Sequence, residues 1–398
     1  MTREFENAVV AHAAGLRASG DAAHRVISAL DFDAARNEIT GWGGYASTPL
    51  VHLPALAREL SVAHVCYKDE GPRFGLGSFK ALGGSYAALQ VLRREISKSI
   101  DREVSAADVR NGKYADEAAK ITLISATDGN HGRSVAWGAQ RFGARCRIYI
   151  HAEVSPNRAQ AMADLGAEVI RIDGDYDATV AVTRKDAETN GWFIVSDTSW
   201  DGYTDPPRDV MAGYGVMTRE ICEAMEHPPT HVLLQGGVGG LAASVAAAFR
   251  QYWGAESPRV IVVEPDLAAC LFASAKAGTS TAVRVASETI MAGLSCGEPS
   301  ALAWPILAEE VSDFITIPES VVAPAVRRLA QPTGDDPALY VGESAIAGLA
   351  GLICATAQSG LRERLALTDQ SRVLLIGSEG VTDPDIHARI MAGENFNG

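Results

Sequence analysis

What most constrains the fold of this chain is a series of short, β-branched segments that alternate with helical stretches from about residue 120 onward. Ile121-Thr122-Leu123-Ile124-Ser125 precedes a helix from about Asn130, and Cys146-Arg147-Ile148-Tyr149-Ile150 precedes a helix opened by Ser155-Pro156. The rhythm continues through segments 169–172, 192–195, 231–234, 260–263 and 373–376, each followed by a turn signal. Strands that are apolar almost throughout belong to sheets covered on both faces, so the expected class is α/β with mostly parallel sheets. Local chemistry agrees: Ser155 is placed to cap a helix, Pro156 to start it and Gly166 to close it. The charged stretch from Arg93 to Lys120 lacks strand character and reads as the end of a helix followed by an exposed insertion.

Neither a repeat nor a low-complexity linker separates these segments, so two interleaved three-layer α/β lobes are expected. Residues 1–88 and 214–398 form the large domain, and 89–213 form a small inserted one. A cleft between such lobes is where ligands usually sit.

Charge and cysteine usage exclude several classes of function. Against 35 Lys and Arg stand 49 Asp and Glu, a net charge of −14, with no basic run to neutralise a nucleic acid or an anionic membrane. The longest weakly polar stretch, Ala345 to Ala357, falls short of the ~20 residues a membrane span needs. Glu4 and Glu6 stand where a secretory signal carries basic residues, so the cytoplasm is the expected compartment. The six cysteines are scattered, with no C-x-x-C pair and no His cluster at zinc spacing, so no metal is expected.

Three glycine-punctuated turns carry the chemistry. In the first, Gly75-Leu76-Gly77-Ser78-Phe79-Lys80, a loop delivers Lys80 to the start of an amphipathic helix running to about Arg94. Desolvation there favours the neutral, nucleophilic amine, although an isolated lysine is usually a surface group. The second, Thr127-Asp128-Gly129-Asn130-His131-Gly132, links a strand to a helix whose first N–H groups favour a carboxylate or phosphate. Alone, Asp128-Gly129 would be an ordinary turn and His131 a packed helix residue. The third, Gly236-Gly237-Val238-Gly239-Gly240, offers bare backbone amides to a phosphate. With Ala242 and with Glu264 about 25 residues on, it also imitates a dinucleotide-binding fingerprint, which keeps a nicotinamide-dependent dehydrogenase as a rival. That rival leaves Ser78-Phe79-Lys80 and Asp128 to His131 unexplained.

Taken together and in this order, the three turns resemble the fold-type II, tryptophan-synthase-like enzymes that use pyridoxal 5'-phosphate (PLP). Within that family the resemblance runs to the diaminopropionate ammonia-lyases, carried also by Ser196-Asp197-Thr198-Ser199-Trp200, Met291-Ala292-Gly293-Leu294-Ser295-Cys296 and Gly342-Glu343-Ser344. It implies Lys80 as the Schiff-base lysine and base, with Phe79 beside the cofactor, Asn130 on its ring hydroxyl and Gly236, Gly237, Val238, Gly239 and Gly240 on its phosphate. Thr127, Asp128, Gly129 and His131 would bind the substrate. Asp128 and Asp197 are the two acids of the pattern. Asp128 would take an α-proton from the face opposite Lys80 or bind the β-ammonium, and Asp197 would bind the substrate's amino group or orient the first acid. A loop or capping acid remains the plain alternative for Asp197.

The implied reaction is elimination of ammonia from L- and possibly D-2,3-diaminopropionate to give pyruvate and two ammonia, in a homodimer. The alternatives are another PLP-dependent lyase of hydroxyaspartate, serine or threonine type, and a non-catalytic binding protein on the same scaffold. One position departs from the family pattern: Gly377 stands where a hydroxyl is expected to meet the pyridine nitrogen, so either Ser378 substitutes for it or the nitrogen meets another group. Cys270 and Cys296 occur in matching segments; the resemblance allows their approach near the entrance, and in a reducing cytoplasm two unlinked thiols are at least as good a reading.

Overall fold

The structure, a computed structural model, describes residues 3–127, 129–174 and 176–396, with the backbone alone at Tyr176 and Asp177. The chain forms two compact units: Met1–Ala29, Ser47–Ser78 and Met217–Gly398 make the first, Leu30–Ala46 and Phe79–Val216 the second. Domain changes were expected at 88/89 and 213/214, whereas the units change at 78/79 and 216/217. The helix Lys80–Ser99 goes with the second unit because it packs on the helix Asn130–Phe142 through glycines. A Cβ on Gly84 would lie 2.9 Å from Ser134 Cβ, and one on Gly138 2.9 Å from Ser85 Cα.

In the first unit, β1 (Ala11–Ala14), β2 (Leu50–His52), β3 (His64–Asp69), β8 (His231–Gln235), β9 (Arg259–Pro265), β10 (Val311–Ile317) and β11 (Arg372–Gly377) form one sheet. Its order is β1-β10-β9-β8-β11-β3-β2, parallel except for the two edge strands β1 and β2. The near-continuous apolar strands are covered on both faces: Val232, Leu233 and Leu234 of β8 are all buried. Leu233, Ile261, Ile315 and Leu375 pack in one core with the helix Ala347–Ala357.

In the second unit, β4 (Thr122–Ala126), β5 (Arg145–Ile150), β6 (Glu168–Arg171) and β7 (Phe193–Ile194) form a parallel sheet in the order β6-β5-β4-β7. Ser155 caps the helix Pro156–Ala163 by accepting from Arg158 N–H at 3.3 Å, and Gly166 takes the left-handed conformation (φ +81°) beyond it. The stretch expected to be an exposed insertion is more ordered than that. The first helix runs to Ser99, and short helices at Ala106–Arg110 and Ala115–Ala118 bury Val104, Val109, Tyr114 and Ala118, four apolar anchors hidden among charges.

No helix among the described residues is long and apolar enough to cross a membrane, and they contain no group of three or more His, Cys, Asp or Glu placed to hold a metal.

Candidate active site

In the second unit, Lys80 opens its helix, as the sequence predicts. Its Nζ is in contact with Asp197 Oδ2, the acid on the loop after β7, and both side chains are only about one-fifth exposed. Two aromatic faces stand beside the amine, with Nζ 5.5 Å from the Phe79 ring centre and 6.0 Å from that of Tyr214. Burial alone would push the Asp197 carboxyl up, but the Lys80 cation, and then His131, hold it well below the ordinary carboxylate range. Asp197 is therefore an ionised partner of the amine, not a turn-capping residue alone. Its loop is pinned where Tyr203 Oη accepts from Ser196 N–H at 3.0 Å and donates to Ile194 O at 2.9 Å, while the Tyr203 ring stacks on Trp200 at 4.1 Å.

Asn130 and His131 begin the helix Asn130–Phe142. Thr127 Oγ1 accepts from the N–H groups of Gly129 (3.2 Å) and Gly132 (3.1 Å), which fixes the turn and uses both donors internally. Ser134 Oγ donates to the Lys80 carbonyl at 2.5 Å, so the lysine helix and the asparagine turn are tied at their first turns. His131 lies 3.9 Å from Asp197 (Nδ1 to Oδ2). The structure thus gathers Phe79, Lys80, Thr127, Gly129, Asn130, His131 and Asp197 in one unit. Asp128 lies outside the described residues. Sequence reasoning missed Tyr214, which sits mid-helix, and whose ring makes a 4.6 Å centroid contact with Phe79.

In the first unit, Gly236 to Gly240 run from β8 into the helix Gly240–Trp253. Gly239 is left-handed (φ +95°), and a Cβ on Gly236 would fall 2.5 Å from Glu264 Cγ. Both positions require glycine, and the first-turn N–H groups of that 14-residue helix have no intrahelical acceptor. The expected Gly236 amide is not available, because it donates to Val263 O at 2.8 Å, but the amides from Gly237 to Gly240 form a cradle that fits a phosphate monoester. It does not fit the dinucleotide reading, because Glu264, the acid that reading needs on a ribose, is buried and spent on the N–H groups of Leu271 (2.9 Å) and Phe272 (2.6 Å). Burial, only partly offset by those bonds, pushes its carboxyl up to about 8. The six cysteines are free thiols, and Cys270 Sγ donates to Gly237 O at 3.5 Å.

Gly377, the unexpected residue, ends β11 because of Tyr67. A Cβ at 377 would lie within 2.5 Å of Tyr67 Oη and closer still to the ring, so no hydroxyl-bearing side chain fits there. Ser378, buried, follows it. Gly377→Ala should lower stability by about 3 kcal/mol, the upper end for overpacking, with partial recovery in Gly377→Ala/Tyr67→Leu. Urea midpoints of the three proteins check this, and a neutral single variant would refute the steric account.

Comparison with known proteins agrees with this geometry. The family described as "Pyridoxal-phosphate dependent enzyme" matches residues 42–379. Diaminopropionate ammonia-lyase of Escherichia coli (strain K12) is 41% identical over 347 residues, 85% of this chain and 86% of that one. The Salmonella typhimurium enzyme of the same name is 37% identical over 358 residues, 87% and 88% of the two chains. The crystal structure of the Escherichia coli enzyme in complex with an aminoacrylate-PLP azomethine reaction intermediate superposes with a TM-score of 0.88, at 36% identity over 98% of both chains. A second, in complex with D-serine, gives a TM-score of 0.88 over 97% of this chain and 98% of that one. The chain belongs to the fold-type II pyridoxal-phosphate-dependent enzymes, in the family of the diaminopropionate ammonia-lyases.

Proposed function

We propose that this protein catalyses the PLP-dependent α,β-elimination of 2,3-diaminopropionate to pyruvate and two ammonia, in the cytoplasm and as a homodimer, with a cofactor-bearing large domain and an inserted domain carrying the asparagine turn. The observation that carries the reading is the contact of Lys80 Nζ with Asp197 in a chain of this family.

When bound, PLP supplies an electron sink that makes the α-proton of an amino acid removable. The chain's own residues do the rest. The amides of Gly237, Val238, Gly239 and Gly240 would hold the cofactor phosphate, with Phe79 and Asn130 along its ring. Ser378 is assigned to the pyridine nitrogen, since Gly377 has no room for a hydroxyl. Lys80, once neutral, takes the α-proton of the L-isomer at Nζ. Of the turn Thr127, Gly129 and His131, the His131 N–H would bind the substrate carboxylate, since Thr127 N–H donates to Tyr149 O and Gly129 N–H to Thr127 Oγ1. Asp128 and Asp197 are assigned to the cationic amino groups of the substrate, which suits a doubly aminated amino acid better than a hydroxylated one. Asp128 is also the acid assigned to the opposite face, and so to the D-isomer.

Released aminoacrylate takes up water and gives pyruvate and the second ammonia. A substrate panel tests the reading: diaminopropionate should be turned over in preference to L-serine, L-threonine and hydroxyaspartate, with two ammonia per pyruvate. Serine as the preferred substrate, at one ammonia per pyruvate, would make the protein a dehydratase of the same scaffold.

A further inference from the structure

Next to Lys80 and Asp197 stands a third titratable group that the reaction as described does not use for its protons. His131 Nε2 faces the Val195 carbonyl oxygen at 2.9 Å. A carbonyl oxygen only accepts, so Nε2 carries a proton, and any change in the ring's charge takes place at Nδ1. Nδ1 is buried, has no hydrogen-bond partner among the described residues, and lies 3.9 Å from Asp197 Oδ2. A buried lone pair turned toward a carboxylate is unfavourable unless that carboxylate already holds a cation. Here it does, because the same Oδ2 contacts Lys80 Nζ. Two basic nitrogens therefore bracket one carboxylate oxygen, and a proton on either one leaves Asp197 paired.

We propose that His131 is the alternate proton store of the Lys80–Asp197 pair: when Lys80 gives up its ammonium proton, Asp197 relays it to His131 Nδ1, and the amine is freed without leaving the buried carboxylate unpaired. This rests on the reading of Lys80 as the reactive amine. An Nζ–H bond breaks and an Nδ1–H bond forms, Asp197 ends as it began, and the summed charge of the three groups is unchanged. The 3.9 Å gap must close to hydrogen-bond distance, as catalytic contacts commonly do when a ligand-free site is loaded. His131 is a positioning residue in this scheme, acting through Asp197.

The surrounding charges have the required signs. Burial pushes the imidazole down, the Asp197 carboxylate pulls it up, the Lys80 cation pushes it down, and the Val195 carbonyl favours the charged ring. Asp197, from the loop after β7, and Lys80, from its helix, are the charged groups acting on His131 among the described residues; Asp128, on the same turn, lies outside them. Loss of the Lys80 charge therefore removes the one charged group that opposes protonation of His131.

Nitrogen-15 NMR of the full-length, ring-labelled protein reads this directly, with His131 assigned by its absence in His131→Gln. Without cofactor, wild type should show a neutral ring protonated at Nε2 at pH 7. Lys80→Met, or Lys80→Gln if the first does not fold, should raise the proton affinity of His131 at least roughly tenfold, as expected of an ion pair released to a new partner. Adding Asp197→Asn should cancel the rise, and Lys80→Arg, which keeps the cation, should not produce it. An unchanged His131 titration in Lys80→Met, or the same rise in Lys80→Arg, overturns the proposal.

In the loaded enzyme, His131→Gln keeps a donor for the Val195 carbonyl but has no Nδ1. Its kcat should fall roughly 100-fold with KM little changed, and the pH profile should lose one limb. A loss of kcat with an unaltered profile would mean a purely structural role and also overturn the relay. The NMR series uses no substrate, so it tests the relay even where the substrate assignment fails.

Discussion

Lys80→Ala lowers kcat on the order of 10⁴-fold, the upper range for removing a positioned base, and abolishes the visible absorbance of a cofactor joined to a lysine amine. Borohydride treatment then fixes PLP to the wild-type chain and leaves none on the variant. A variant that keeps either the absorbance or the turnover sinks the assignment of Lys80. The substitution has a second consequence, because it strips the cation from Asp197. That carboxyl, which burial would raise, is held low chiefly by Lys80. A carboxyl with a depressed folded-state value contributes stability above its unfolded value, near 3.9 for an ordinary Asp, and loses it as the pH falls through the folded one. The stability difference between wild type and Lys80→Ala is thus full at neutral pH and shrinks progressively as the pH falls through the ordinary carboxylate range and below it. Urea midpoints at pH 7 and pH 3 measure it.

The sequence made β8, β9 and β11 legible because each is an uninterrupted apolar run flanked by turn residues. It concealed β10, Val-Ser-Asp-Phe-Ile-Thr-Ile, because Asp313 breaks the run while staying buried. That charge is satisfied by partners distant in sequence, Arg259 at 2.7 Å and His12 at 2.9 Å, which no local pattern reveals. The same division holds at the site. Lys80, Asn130 and the glycine turn stand where a strand or loop hands over to a helix, and such turns are written in consecutive residues. Tyr67 and Gly377 explain one another across adjacent strands, and a ring that arrives from another strand leaves no trace in the residues flanking 377. Glu264 imitated a ribose-binding acid because spacing carries no information about burial.

The largest expected effect on stability lies in the first unit. Lys68 of β3, Glu70, Arg73 and Glu220 are all buried. Glu220 receives Lys68 Nζ at 2.6 Å and both Nη1 and Nη2 of Arg73 at 2.8 Å, while Arg73 also forks onto Glu70 at 2.8 Å through Nε and Nη2. Thr48 Oγ1 donates to Glu70 at 2.5 Å, and its carbonyl accepts from Lys68 at 2.7 Å. Two cations are thus matched by two carboxylates with nearly every donor used, which is what allows the charges to be buried. Glu220→Ala leaves Lys68 without its carboxylate and Arg73 with one of two, and should cost about 3–5 kcal/mol, the range for breaking a buried pair from one side. Lys68→Met/Glu220→Gln should cost less than Glu220→Ala, because it removes the stranded cation as well. Although burial would raise the Glu220 carboxyl, Arg73 and then Lys68 hold it below the ordinary value. Its contribution is accordingly present at neutral pH and lost in acid, so the gap between wild type and Glu220→Ala should narrow on acidification. Urea unfolding of the three proteins at pH 7 and pH 4 decides between the buried network and an ordinary surface pair. A single-variant loss under about 1 kcal/mol would place Glu220 and its cations in the range of solvent-exposed ion pairs and contradict the energetic role that their burial implies.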